Sequence, residues 1–393
     1  MTTFRIQTLN NISQQGLDRL PRPRFETGAE IAQPDALLVR SADLHKAEIP
    51  ASVKAIGRAG AGTNNIPVAA MTKRGVPVFN APGANANAIK ELVLAGLLIA
   101  ARNLAPALDF VRKLDSDDKA MHETVEAGKK KFVGMELPGR SLGVIGLGAI
   151  GVKVANAAVE LGMEVWGFDP AMTVQNAWKL DARVNQALSV DEVISRSQFL
   201  SLHVPLIEAT RALVNADRIR RLKPKGVVLN FAREGIVDEA AVIEALNEGR
   251  LQAYVCDFPS NALKGHPRVV ALPHLGASTN EAEDNCAVMV ADQLRDFLDT
   301  GNVTNSVNFP EAVLGLLPGK HRLCIVNENV PNMVGQISTA LARRNLNIAD
   351  LLNKSRGDLA YSLVDVDTSI PAAVVDEIAS IPGVISTRVI SAR

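Results

Sequence analysis

Residues 142–145 form a short apolar run that leads into Gly146-x-Gly148-x-x-Gly151, a helical pattern, and a second apolar run ending in Asp169. A strand, a glycine-rich turn, a helix and a strand closed by an acid form the dinucleotide fingerprint in its full context. Gly146 permits the tight turn, Gly148 lets the backbone approach a pyrophosphate, and Gly151 lets helix and strand pack closely. The free N–H groups at the helix start favour an anion there. Asp169 is placed to accept hydrogen bonds from ribose hydroxyls. The expected cofactor is therefore NAD.

The rest of the composition narrows the class. The 393 residues imply two or three domains, and 47% hydrophobic content is enough to build cores for them. Forty-two basic residues balance 42 acidic ones, so no net field favours nucleic acid or an anionic membrane. Cys256, Cys286 and Cys324 are widely scattered, which fits neither a disulfide framework nor a metal site. No targeting or spanning segment is evident, and a cytoplasmic location is expected.

Alternating strand and helix patterns predict an α/β architecture with parallel sheets. Strands are expected at 4–9, 36–39, 53–58 and 76–79, followed by a long apolar helix over 87–102. Residues 115–131 read as a Lys-rich surface excursion. Further strands at 199–203, 226–231, 252–256 and 269–272 continue the nucleotide sheet, and a helix over 279–298 returns to the first unit. Residues 302–320, rich in Asn, Pro and Gly without a sustained period, read as a linker. Beyond it the order β-α-β-β-α-β predicts a ferredoxin-like unit. The expected division is a first unit at 1–88, a Rossmann-type nucleotide domain at 89–277, a return helix at 278–301, a linker at 302–319 and a C-terminal domain at 320–393.

Three segments carry the chemistry. His203, Val204 and Pro205 follow a predicted strand, where open α/β sheets bind ligands. The run from Asn230 to Glu239 places Phe231, Ala232 and Arg233 at a strand end, and a guanidinium there suits a carboxylate. The run Pro273-His274-Leu275-Gly276-Ala277-Ser278 sets a histidine after an apolar strand, where an imidazole can carry a proton near neutral pH.

Together these motifs resemble the D-isomer-specific 2-hydroxyacid dehydrogenase family. Leu38 to Ser41, Gly57 to Asn65, Phe79 to Pro82 and Phe132 to Leu137 resemble the branch that oxidises D-3-phosphoglycerate, and the C-terminal unit resembles an ACT regulatory domain. The resemblance implies a Rossmann domain inserted in a flavodoxin-like substrate domain. It also implies a homodimer or homotetramer that performs the first step of serine biosynthesis. It makes Arg233 the residue that orients substrate and His274 the general acid and base. It gives Ala149 and Ile150 to the pyrophosphate, Asp169 to the ribose, and Asp257 to the nicotinamide amide. His203, Val204, Pro205, Phe231, Ala232, Gly276 and Ala277 complete the cofactor edge. Ala61 and Gly62 offer backbone N–H groups to the substrate carboxylate, with Arg40 and Arg58 for its phosphate. Asn327, Asn329 and Asn347 are the implied effector residues, with L-serine as effector.

Two departures stand out. The glutamate that the family pairs with its histidine has no counterpart, because no carboxylate lies in 258–273. Asp257, Glu281 or no carboxylate at all then partners His274. In the C-terminal unit, Asn327 stands where a histidine is usual. Dehydrogenation of another small 2-hydroxy acid, such as glycerate or 2-hydroxyglutarate, and a non-enzymatic NAD sensor on the same fold are the alternative functions.

Overall fold

The computed structural model describes residues 3–115 and 117–391, which divide into two compact units. One comprises residues 86–279, and the other joins residues up to 85 with those from 280 onward.

In the joined unit, five parallel strands lie in the order Phe25–Gly28, Phe4–Leu9, Ala36–Val39, Ala55–Arg58, Val78–Phe79. This is the flavodoxin-like order. The strand Phe25–Gly28 is absent from the sequence reading, because four residues with one deeply buried side chain carry almost no alternation signal. The helix Asn280–Thr300 packs on this sheet so closely that a Cβ at Gly57 would stand 2.4 Å from Val290. Any larger residue at 57 would push the helix off.

The unit formed by 86–279 holds seven parallel strands. Their order is Val269–Ala271, Leu251–Cys256, Gly226–Asn230, Phe199–Leu202, Ser141–Ile145, Glu164–Phe168, Asn185–Gln186. The direction of winding reverses between Ser141–Ile145 and Phe199–Leu202, the topological switch point at which Rossmann sheets bind ligands. Residues 115–131 are not a bare excursion, since Asp118–Gly128 is helical with Asp117 capping it through Ala120 N. Among the described residues no single helix is long and apolar enough to cross a bilayer.

The C-terminal strands His321–Glu328, Ile348–Arg356, Leu359–Val366 and Val384–Ser391 form an antiparallel sheet, with the helices Met333–Arg343 and Ala372–Ala379 in the βαββαβ order. Leu323, Ile325, Val364 and Val366 pack under those helices. The alternate residues Cys324, Val326, Tyr361 and Leu363 join one continuous core with Phe79, Phe297, Val303 and Phe309 of the substrate half. The two central strands, His321–Glu328 and Leu359–Val366, are thus covered on both faces.

The linker reading of 302–319 is corrected by the same core. Val303, Phe309 and Ala312 are buried, Val303 bridges Ala312, and Phe79 bridges Ser306. The Asn308 amide accepts from Val78 N at 2.8 Å and donates to Val76 O at 3.0 Å, splicing the segment to the edge strand. Single anchors hold it, so its sequence needs no helical or strand period.

Candidate active site

The turn after Ser141–Ile145 is built as the glycines require. Gly146 has φ +91°, and a Cβ there would lie 2.4 Å from the His203 carbonyl oxygen. A Cβ on Gly151 would meet the Gly146 carbonyl oxygen at 1.9 Å, so only glycine lets the helix Ala149–Glu160 start this close to its strand. Gly148 instead has nothing within 4 Å of its Cβ direction, and no side chain caps the helix it opens. That open approach to uncapped N–H groups is the cradle a pyrophosphate needs, and the residues present fit a dinucleotide.

Asp169 follows the strand Glu164–Phe168. Its carboxylate accepts from Leu147 N and from Ala171 N, both at 2.8 Å, and so fixes the glycine turn against the next loop. It lines a cavity of about 630 Å³ with Leu147, Pro170, Met172, Asp181 and Leu188 among its walls. Among the described residues no lysine or arginine lines that cavity.

At the switch point, His203 Nε2 is hydrogen-bonded to Ser201 Oγ at 2.8 Å. Loss of hydration pulls this imidazole down to about 4, so it is uncharged near neutral pH. Val204 is half-buried beside it and Pro205 is exposed. One strand over, Phe231 is buried and Ala232 half-buried, while Arg233 reaches solvent. Asn230 holds this turn, donating to Arg233 O at 2.9 Å and accepting from Ala232 N at 3.2 Å. The Arg233 guanidinium meets only the Ala232 carbonyl, at 2.7 Å, and has no carboxylate partner among the described residues.

His274 lies on the loop after Val269–Ala271, exposed and with φ +56°. Asp257 is almost fully buried, and its two oxygens accept from Leu275 N and Gly276 N at 2.7 Å each. It therefore grips the backbone that follows His274, and makes no hydrogen bond to the imidazole among the described residues. Gly276 is buried and Ala277 exposed. Phe258, which the sequence reading passed over, sets its ring 5.1 Å from the imidazole, centre to centre. Its adjacency to Asp257 was the available signal.

The substrate residues read from sequence belong to the other unit. Arg40 is held by Glu283 through both of its terminal nitrogens, one at 2.7 Å. Glu283 sits in the first turn of Asn280–Thr300, as does the exposed Glu281. Arg58 is half-buried, and among the described residues its guanidinium donates only to Arg40 O, at 3.1 Å. Burial lowers its guanidinium below the ordinary arginine value, and the nearby Arg40 charge adds to this. Ala61 and Gly62 are half-buried beside it.

The three residues expected to bind an effector are not brought together within one chain. Asn327 is buried in the sheet, donating to Glu328 O at 2.7 Å with its Oδ1 unpartnered. Asn329 donates to Gly357 O at one end of the sheet, whereas Asn347 donates to Asp367 Oδ2 at the other.

Residues 104–276 match the model of the D-isomer specific 2-hydroxyacid dehydrogenase NAD binding domain. The chain is 33% identical to D-3-phosphoglycerate dehydrogenase of Haemophilus influenzae over 86% of its own length and 81% of the relative's. It is 34% identical to the enzyme of that name from Methanocaldococcus jannaschii, over 86% of the chain but 62% of that relative. Its fold matches D-mandelate dehydrogenase of Rhodotorula graminis with a TM-score of 0.65 and 22% identity, covering 81% of this chain and 99% of that one. The chain belongs to the D-isomer specific 2-hydroxyacid dehydrogenase family and is an NAD-dependent oxidoreductase.

Proposed function

We propose that the chain oxidises D-3-phosphoglycerate to 3-phosphohydroxypyruvate, opening serine biosynthesis in the cytoplasm. The observation that carries this reading is Arg58, a desolvated guanidinium with no carboxylate beside it among the described residues. A half-buried cation without an anionic partner carries a desolvation cost, and a bound anion relieves it. The similarity to phosphoglycerate dehydrogenases supports a phosphorylated substrate.

In this reaction Arg233 orients the substrate carboxylate through its unpaired guanidinium. The His274 imidazole takes the hydroxyl proton on a ring nitrogen as the carbon gives up its hydride with the bonding electrons. Bound NAD supplies the hydride acceptor. The uncharged His203 places no second cation beside the coenzyme site.

A second reading, oxidation of an unphosphorylated 2-hydroxy acid, gains support from the Arg40–Glu283 pair, which leaves one cation fewer for a phosphate. NADH absorbance with D-3-phosphoglycerate, D-glycerate and D-2-hydroxyglutarate decides between them. The phosphorylated acid should give the highest kcat/KM, and Arg58→Met should raise its KM about tenfold while leaving the KM for NAD unchanged. Preference for glycerate would establish the second reading.

L-serine is the proposed effector. Since Asn329 and Asn347 lie at opposite ends of one sheet, a site using both draws them from two copies of the chain, as a homodimer or homotetramer would allow.

A further inference from the structure

The loop carrying His274 raises a problem of position. A non-glycine residue with positive φ is uncommon, and the imidazole here is exposed, with no hydrogen bond to hold it among the described residues. A proton carrier left to wander would lose the alignment that hydride and proton transfer require together.

We infer that Phe258 is the positioning residue for His274, its ring holding the imidazole where the resemblance would have supplied a carboxylate. This rests on the reading of His274 as the proton carrier. Two adjacent residues past the end of Leu251–Cys256 divide the work. Asp257 fixes the main chain after His274 through Leu275 N and Gly276 N. Phe258 meets the side chain, with the two rings 5.1 Å apart between centres and tilted by 57°. That separation and tilt lie within the favourable range for paired aromatic rings.

The chemical consequences differ from those of a carboxylate. A ring wall restrains where the imidazole lies without accepting a proton from it, so both ring nitrogens stay available. Asp257 makes its hydrogen bonds to the main-chain N–H groups of Leu275 and Gly276, and none to the imidazole among the described residues. Restraint by contact also depends on the breadth of the neighbouring ring. Tyrosine should therefore replace Phe258 well, leucine poorly and alanine least.

The test combines kinetics with NMR of the intact chain. Phe258→Ala should lower kcat roughly tenfold with little change in KM for either substrate, since positioning is felt in the reacting geometry. Phe258→Tyr should restore most of the rate. Because the chain has six histidines, the His274 ring protons can be assigned by comparison with His274→Gln. Ring current from Phe258 should displace them, and Phe258→Ala should abolish the displacement. Unchanged kcat in Phe258→Ala, or no change in the His274 resonances, would overturn the inference. If His274→Gln itself keeps full activity, the proton-carrier reading has failed, and the kinetic role given to Phe258 fails with it. Displaced resonances would then leave only the ring contact standing.

Discussion

Arg322 and Asp365 face each other across neighbouring antiparallel strands and form a two-pronged ion pair, at 2.6 and 2.7 Å, sealed from solvent. The remaining guanidinium nitrogen donates to Thr300 O and Leu314 O, both at 2.8 Å. The pair thus ties the C-terminal sheet to the end of the helix Asn280–Thr300 and to the segment that follows it. Tyr361 adds a second tie, donating to Gly301 O at 2.7 Å.

Breaking this pair from one side leaves an unpaired buried charge. Arg322→Met should destabilise the chain by about 3–5 kcal/mol, and the double variant Arg322→Met/Asp365→Leu should recover part of that loss. Urea unfolding of the singles and the double measures it. Additive losses would mean that the two side chains do not act as a pair.

Asp169 lines a cavity that holds no lysine or arginine among the described residues, and coenzyme choice tests its proposed place beside the ribose. A 2′-phosphate would meet that carboxylate with nothing to offset its charge. Catalytic efficiency with NAD should exceed that with NADP by roughly a hundredfold, equivalent to ~2.8 kcal/mol. Asp169→Ser should narrow the ratio. It should also weaken NAD, because Leu147 N and Ala171 N lose their acceptor.

His203 makes stability depend on pH. Its folded value of about 4 lies below the ordinary histidine value of 6.5, so the unfolded chain binds the extra proton first as pH falls. The stabilising contribution is complete above the unfolded value and declines between the two. Urea midpoints should therefore fall from pH 7 toward pH 4, and His203→Gln should flatten that decline. An equally steep decline in the variant would assign it to other groups.

Arg40 and Glu283 offer a test of the proposed phosphate site that leaves Arg58 untouched. Glu283→Gln releases the Arg40 guanidinium from its carboxylate. Inorganic phosphate should then inhibit more strongly, by roughly tenfold for one freed charge-assisted contact. Weaker inhibition would mean that Glu283 aims Arg40 at the phosphate and does not withhold it.

Residues 141–169 determined the nucleotide domain by themselves, because each glycine answers a local steric demand visible in the order of residues. The turn at Gly146, the close approach at Gly151 and the open space at Gly148 all follow from backbone geometry within one strand-turn-helix unit. The βαββαβ order of the C-terminal unit was legible for a similar reason, since its strands and helices carry their own periods. Tertiary structure alone decided the rest. Nothing near Arg40 in sequence shows that Glu283 claims it, and nothing in 302–319 shows that Val303 and Phe309 are buried. These are contacts between segments distant in sequence, made by single residues, and a periodic pattern records only neighbours along one element. The ring beside His274 belongs with them, because Phe258 and the imidazole meet only after the parallel strands Leu251–Cys256 and Val269–Ala271 have paired.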